Sequence, residues 1–180
     1  MKRFFLCIAL AFAGLFASAQ DIDKIPARMP VEITEVTNDD ETYTLFMYKD
    51  QDGTFGYYFG LGPADRIVET FIAFEQVTET ILFLGKTSDE AMESLEKLLA
   101  MYNEPYDTEI EYPIRFSVAG IIDASFYTAQ CIVTKRLIGG KRLSFFYNNG
   151  QYTTETYLQK ATVKSMIWSF KLHRKLHPNG

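Results

Sequence analysis

Hydrophobic and polar residues alternate along two long stretches of the chain, and an amphipathic segment with helical spacing follows each of them. In the first stretch, runs rich in Thr, Tyr, Phe, Val and Ile are separated by polar turns such as Asp52-Gly53. Such runs between turn dipeptides are typical of antiparallel strands. Strands are therefore predicted at residues 42–49, 54–61, 66–74 and 77–84, with a short edge strand before them at 31–36.

The second stretch repeats this organisation further along the chain. Turns are predicted at Gly139-Gly140 and Asn149-Gly150, because both dipeptides adopt positive φ at little cost and suit two-residue hairpins. Strands are predicted at residues 110–119, 123–138, 141–147 and 151–157. The second of these strands is long enough that we expect a bend or bulge within it.

The first helix is predicted within residues 86–105. Thr87 and Glu90 have the spacing of a capping box, in which each side chain satisfies a free backbone N–H at the helix start. Apolar residues then recur on one face, and Pro105 ends the helix.

The second helix is predicted within residues 158–178, because a basic last turn and Pro178 follow the helical pattern. Its predicted buried face consists of Val163, Met166, Ile167 and Phe170. Trp168 also fits a strand-like alternation with its apolar neighbours, and this mixed context assigns its ring to the core.

The predicted order of strands, helix, strands, helix is typical of an α+β fold with antiparallel β-meanders each followed by an α-helix (βββββ-α-ββββ-α). The halves, residues 31–104 and 109–176, have similar length and order. A pseudo-duplicated arrangement and a helix-on-sheet arrangement are therefore both open. The joint between the halves is short, so we predict a single globular α+β domain over residues 20–180.

Glycines and aromatic residues alternate in the stretch GTFGYYFGLG, residues 53–62. One side of this strand would carry Phe55, Tyr57, Phe59 and Leu61. The other side would carry Gly56, Tyr58, Gly60 and Gly62. A two-residue turn at Asp52-Gly53 would place Tyr48 opposite Tyr57 and Phe46 opposite Phe59, on one aromatic face. We predict that this face is core, against the alternative of an exposed binding surface.

The first 19 residues have the three parts of a secretory signal peptide: a basic start, an apolar segment and a small-residue cleavage site. The leader resembles those of Gram-negative exported proteins. We expect cleavage after Ala19, a periplasmic or secreted chain, and no transmembrane segment after cleavage. Beyond the leader only Cys131 remains, so no internal disulfide can form. Cys131 is predicted to be a buried small hydrophobe, with an intermolecular bridge or a reactive thiol as alternatives.

The sequence has no motif for nucleophilic catalysis, phosphate binding or metal ligation, so no catalytic, cofactor-binding or metal-binding residue is predicted. The two histidines, His173 and His177, are predicted to be exposed on the last helix. Asp50 and Asp52 resemble a calcium loop only superficially, because the terminal ligand position would be Phe59. A hairpin turn explains them better.

Charge is divided unequally along the chain. Residues 20–112 carry 21 acidic and 6 basic residues, whereas residues 113–180 carry 2 acidic and 10 basic residues. The two halves could simply neutralise each other. The alternative is a basic face for an anionic partner, formed by Lys135, Arg136, Lys141, Arg142, Lys160, Lys164, Lys171, Arg174 and Lys175.

Three function classes follow from these observations. The first is an exported, non-enzymatic domain that binds an unknown protein or an anionic envelope component. The second is a carrier of a small apolar ligand in a cavity between sheet and helix. The third is a carboxylate-based envelope hydrolase, for which no residue is marked. Nucleic acid is not expected as a partner of an exported chain with a net charge of −5.

Overall fold

The computed structural model describes residues 25–38, 41–61, 65–68, 77–118, 121–136, 139–148 and 152–177. In these residues an antiparallel sheet curls around two helices, so the chain has an α+β fold. The predicted signal peptide and the Asn149-Gly150 turn lie outside the described residues.

The secondary structure follows the predicted order closely. The first half contains β1 (Val31–Asn38), β2 (Glu41–Lys49), β3 (Phe55–Gly60), β4 (Asp65–Val68), β5 (Val77–Gly85) and α1 (Ser88–Met101). The second half contains β6 (Glu109–Val118), β7 (Ile121–Ile122), β8 (Tyr127–Lys135), β9 (Lys141–Asn148), β10 (Tyr152–Gln159) and α2 (Lys160–Leu176). The predicted strand 123–138 is shorter in the structure, because β8 begins only at Tyr127, and its described pairings with β6 and β9 show no register shift, so the bend or bulge expected within it is not found there. Asp123 instead accepts a hydrogen bond from the backbone N–H of Ser125 in a turn.

Both halves contribute to one sheet, in the order β1-β2-β3-β5-β6-β8-β9-β10-β4, while the short β7 pairs with β6. The β5–β6 pair joins the halves directly. The two helices pack together on one side of this sheet, and α2 contacts both β1 and β10. Of the two arrangements left open by the sequence, the described residues therefore show helices packed on a shared sheet.

The sequence predicted that β4 would continue the first meander, and this prediction is wrong. Strand β4 pairs with β10 at the opposite edge of the sheet, and β3 pairs directly with β5. In a flat sheet, six strand spacings would separate β3 from β4 by about 29 Å. Leu61, held beside β5 by its bond to the Thr80 carbonyl, is only four residues from Asp65, a reach of at most about 14 Å. The sheet must therefore curl strongly for β4 to pair.

The hairpin between β2 and β3 corrects the predicted register. Lys49 pairs with Phe55, and the backbone N–H of Asp50 bonds the Thr54 carbonyl, so the loop has three residues and not two. Gly53 supplies the left-handed residue that such a loop requires, with φ of 88°. One extra residue moves every side chain of one strand to the other face.

As a result, Phe46 and Tyr48 do not share a face with Phe59. The side of the sheet that faces the helices, called the inner face, carries Tyr57, Phe59 and Leu61 within the main core. Phe46, Tyr48 and Tyr58 instead lie in a smaller buried cluster on the outer face. The prediction that these rings are buried is confirmed, and the prediction that they form one face is wrong.

Glycines in β3 leave room for side chains of β5 on the outer face. A Cβ atom on Gly56 would lie 2.5 Å from Cε2 of Phe83, and a Cβ atom on Gly60 would lie 2.0 Å from Oε1 of Glu79. At Gly56 the packed ring of Phe83 would have to shift to admit a larger residue, and at Gly60 the end of the Glu79 side chain would have to move. The alternation of glycine and aromatic residues is thus a packing pattern between neighbouring strands.

Helix α1 begins as predicted at Thr87, whose hydroxyl accepts a hydrogen bond from the Glu90 backbone at 3.2 Å. The Glu90 carboxylate accepts a hydrogen bond from the N–H of Lys86, one residue before the cap.

On the inner face of β8, Cys131 is fully buried and free, as expected of a small hydrophobe. Burial raises the pKa of its thiol to about 12, which keeps it protonated and unreactive.

Candidate interaction surface

Helix α2 begins directly at the end of β10, with Gln159 as the last strand residue and Lys160 as the first helical residue. It packs against the sheet and α1 through Thr162, Val163, Met166, Ile167 and Phe170. These positions recur every three or four residues and cover one face of the helix. The opposite face points to solvent.

Large apolar side chains occupy that solvent face. Trp168 is 67% exposed, Leu172 is 42% exposed and Leu176 is 65% exposed. Their spacing of four residues aligns them along one side of α2, and we call them the apolar stripe. The assignment of Trp168 to the core is therefore wrong. Helical spacing from the correctly predicted buried face already places Trp168 opposite that face, and the strand-like alternation was the misleading signal.

Lysines lie beside the stripe. Lys164, Lys171 and Lys175 are exposed on the same half of α2. Within residues 160–176 the helix has five Lys or Arg residues and no Asp or Glu. His173, Arg174 and Lys175 occupy its last turn, where positive charge is favourable next to the negative end of the helix dipole.

The nine predicted basic residues are divided between two regions. Lys135 and Lys141 are cross-strand partners at the β8–β9 hairpin, with Arg136 beside them, and Arg142 pairs with Gln159 next to Lys160. These five form the hairpin group. Lys164, Lys171, Arg174 and Lys175 continue along α2, and the axial distance from Lys160 to Lys175 is about 22 Å.

The hairpin group lies against the end of α1. Lys141 donates to the backbone carbonyl of Glu104 and lies over the ring of Tyr106, and Lys160 approaches the side chain of Asn103 at 3.4 Å. Cations at a helix C-terminus offset the partial negative charge of its carbonyl groups. Part of this basic group therefore has a role within the fold.

Two α2 cations pair with the acidic first half of the chain. Lys171 contacts Glu96 at 2.9 Å, and Arg174 contacts Asp89 at the start of α1. The helices thus pack antiparallel with opposite charges facing each other, and mutual neutralisation accounts for these two residues. Within the described part of the chain, Lys164 and Lys175 form no ion pair. They remain available to an anionic partner.

His173 and His177 lie on consecutive turns, with ring centroids 4.7 Å apart. Neither ring is fully exposed, which corrects the prediction of two exposed histidines. Burial, followed by the charge of His177, lowers the pKa of His173, so it is neutral at pH 7. The positive charge of α2 at that pH therefore comes from its lysines and Arg174.

A buried cluster of polar side chains surrounds Arg115 on the outer face of the sheet. Its side chain is fully buried, and its guanidinium donates to both carboxylate oxygens of Asp50 at 2.8 and 2.9 Å. Further hydrogen bonds go to the Asp123 carbonyl and the Tyr58 hydroxyl. The ring of Phe126 covers the guanidinium at 5.1 Å. Arg115 therefore forms a buried ion pair with Asp50. It is the one basic residue of the second half that belongs neither to the hairpin group nor to α2.

Asp123 has a polar environment of its own beside Arg115. Its carboxylate accepts hydrogen bonds from the Ser125 backbone at 3.0 Å and from the Tyr127 hydroxyl at 2.5 Å. Burial favours the neutral acid, but these hydrogen bonds outweigh burial and hold the pKa of Asp123 below its ordinary value. The turn before β8 is therefore stabilised by the ionised carboxylate.

The Asp123→Asn variant should lose about 1.5–3 kcal/mol of unfolding free energy at neutral pH, the value of a hydrogen bond to a charged group. Because the folded pKa is lowered, this contribution is present above the ordinary value of 3.8 and disappears as the pH falls through 3.8 towards the folded pKa. Urea unfolding at several pH values should show the two proteins converging in acid. A difference that stays constant with pH would contradict the role of the carboxylate charge.

Among the described residues, no group of three or more His, Cys, Asp or Glu side chains is placed to hold a metal ion. Neither described helix combines the length and the apolar character that crossing a membrane requires. Comparison with protein-family models, curated proteins and solved structures finds no significant match, so function has to be inferred from the residues of this chain.

Proposed function

We propose that the chain is an exported, non-enzymatic domain, periplasmic or secreted, that binds an anionic component of the cell envelope through α2. The observation that carries this proposal is the charge of the helix: five basic residues without an acidic one, on an element whose outer half is exposed. A helix of this composition attracts negative surfaces at a range set by the ionic strength.

The ion pairs to α1 indicate which residues bind. Lys171 and Arg174 are already engaged by Glu96 and Asp89, so they add less to a surface potential. Lys164 and Lys175 have exposed side chains and form no ion pair with the described residues. They lie eleven residues apart, about three helical turns, and so present two charges along one side of α2. The carrier and hydrolase alternatives stay predictions.

Binding to anionic vesicles tests the proposal. The processed chain should sediment with vesicles of phosphatidylglycerol and phosphatidylcholine in equal parts at low salt, and it should be released as salt is raised. Vesicles of phosphatidylcholine alone should retain much less protein. A single lysine near an anionic surface contributes about 1 kcal/mol, so the Lys164→Gln/Lys175→Gln variant should bind roughly 30-fold more weakly.

A matched control is the Lys86→Gln/Lys97→Gln variant, which removes two exposed charges at and near α1 and leaves α2 unchanged. It should bind almost as well as the natural chain. Equal losses in both double variants would show a non-specific effect of net charge. Absence of salt-sensitive binding in the natural chain would refute the proposal, provided that intact mass shows the leader to be removed.

A further inference from the structure

The apolar stripe and the lysines divide the solvent face of α2 into two halves. With roughly 100° between successive helical residues, Leu172 and Leu176 lie about 40° and 80° to one side of Trp168. Lys175, Lys164 and Lys171 lie about 20°, 40° and 60° to its other side. One flank of the face thus carries the two leucines with the exposed Ser165 between them, the other flank is basic, and Trp168 lies at the centre.

This division has the pattern of a helix that lies in a membrane interface. Such helices carry Trp and Leu on the side that enters the headgroup–acyl boundary and lysines at its border. Tryptophan in particular is enriched at that boundary because its ring is amphipathic. An exposed Trp168 in the centre of the face is otherwise costly, since it presents a large apolar surface to water.

Most of the described acids near α2 do not oppose an anionic surface, and the exception is Glu41, which accepts a hydrogen bond from the inner-face Tyr43 and pairs with Asn38 beside the first turn of α2. Asp89 and Glu96 of α1 lie on the lysine flank and are paired with Arg174 and Lys171. The acids of β1 point away from α2. Glu32 pairs with Phe46, which belongs to the buried cluster on the outer face, and cross-strand partners point to the same side of a sheet.

We propose that α2 seats this protein on an anionic lipid bilayer, with Trp168, Leu172 and Leu176 inserted at the headgroup–acyl boundary and Lys164 and Lys175 at the phosphates. This inference rests on the proposed function and specifies its partner. The two proposals differ in one measurable respect. Electrostatic binding alone leaves the apolar stripe in water, whereas seating on a bilayer buries the stripe.

Trp168 reports its own environment, because it is the single tryptophan of the chain. Adding vesicles of phosphatidylglycerol and phosphatidylcholine in equal parts should shift its fluorescence emission to the blue. Lipids brominated near the top of the acyl chain should quench that emission. The Leu172→Ser/Leu176→Ser variant keeps the tryptophan and should bind the vesicles roughly tenfold more weakly or worse, with a smaller blue shift.

Ile121→Ser is the matched control, because Ile121 is an exposed apolar residue on β7, outside α2. Its vesicle binding and blue shift should equal those of the natural chain. Thermal melts of all variants should lie within about 4 °C of the natural chain, since the substituted side chains are largely exposed and Leu→Ser changes cost only a fraction of a kcal/mol each in helix propensity.

Several outcomes would overturn the inference. Salt-sensitive vesicle binding with an unshifted emission, and full binding by the leucine variant, would show that α2 acts through charge alone and would leave the proposed function standing. No binding to anionic vesicles would refute both. A purified dimer whose Trp168 emission is already blue-shifted without lipid would assign the stripe to a second copy of the chain.

Discussion

The Asp50→Ala variant is expected to lose about 3–5 kcal/mol of unfolding free energy, because it leaves the charge of Arg115 buried without its carboxylate. Arg115 has no exposed side-chain surface, and Asp50 is only 13% exposed, so water cannot replace the lost partner. A typical domain is stable by about 5–15 kcal/mol, so this loss would be large enough to unfold a marginal protein. Urea unfolding followed by circular dichroism measures it.

Asp52→Ala is the matched control for this experiment, since Asp52 is an exposed acid in the same hairpin loop. Its carboxylate accepts one hydrogen bond from the Thr54 backbone, and its loss should cost far less than that of Asp50. Asp50→Asn retains an acceptor for Arg115 and should fall between the two. If Asp50→Ala and Asp52→Ala were equally stable, the buried ion pair would contribute nothing measurable to the fold.

The Phe59→Ala variant should lose a similar 3–5 kcal/mol, the usual cost of truncating a fully buried phenylalanine. Phe59 lies in the main core, with its ring 6.2 Å from that of Tyr43. Alanine would leave a cavity between the sheet and the helices that the surrounding side chains can fill only in part. A thermal melt or a urea titration reads out the change.

Tyr106→Ala removes an exposed ring and serves as the comparison, with an expected change of only about 0.5–1 kcal/mol, the value of its exposed cation–π contact with Lys141. An unshifted melt for Phe59→Ala would mean that the aromatic residues of β3 form a recognition surface and not the core. The choice between these two interpretations of GTFGYYFGLG would then be reversed.

Local pattern was sufficient to predict the elements of this fold. Both helices and nearly all strands lie within a few residues of their predicted bounds, because hydrophobic periodicity and caps such as Thr87 act over short stretches. Two predictions failed because they depended on the exact length of a turn and on pairing between strands far apart in sequence. The face of Phe46 depends on one residue in a turn, and the partner of β4 depends on a strand more than eighty residues away.

The interaction surface could be predicted from the sequence only in part. The sequence identifies the basic residues by type, but it does not show that Lys171 and Arg174 face acids of α1 while Lys164 and Lys175 do not. Trp168 could have been placed correctly from helical spacing alone. The ion pair of Asp50 with Arg115 could not, because it joins residues 65 positions apart whose approach depends on the register of four strands.

The pairing of β4 with β10 has a consequence for how the chain acquires its structure. Every other neighbouring pair of strands joins residues at most 41 positions apart, the distance from Val77 to Val118, whereas Asp65–Val68 must wait for residues 152–155. Closing so long a loop is entropically costly, and contacts of this kind generally form late. During synthesis the first half of the sheet would therefore exist for a time without the strand that completes its curl. The last step of folding should be the arrival of β10 between β9 and β4, which also positions α2, since no residue separates that helix from the strand.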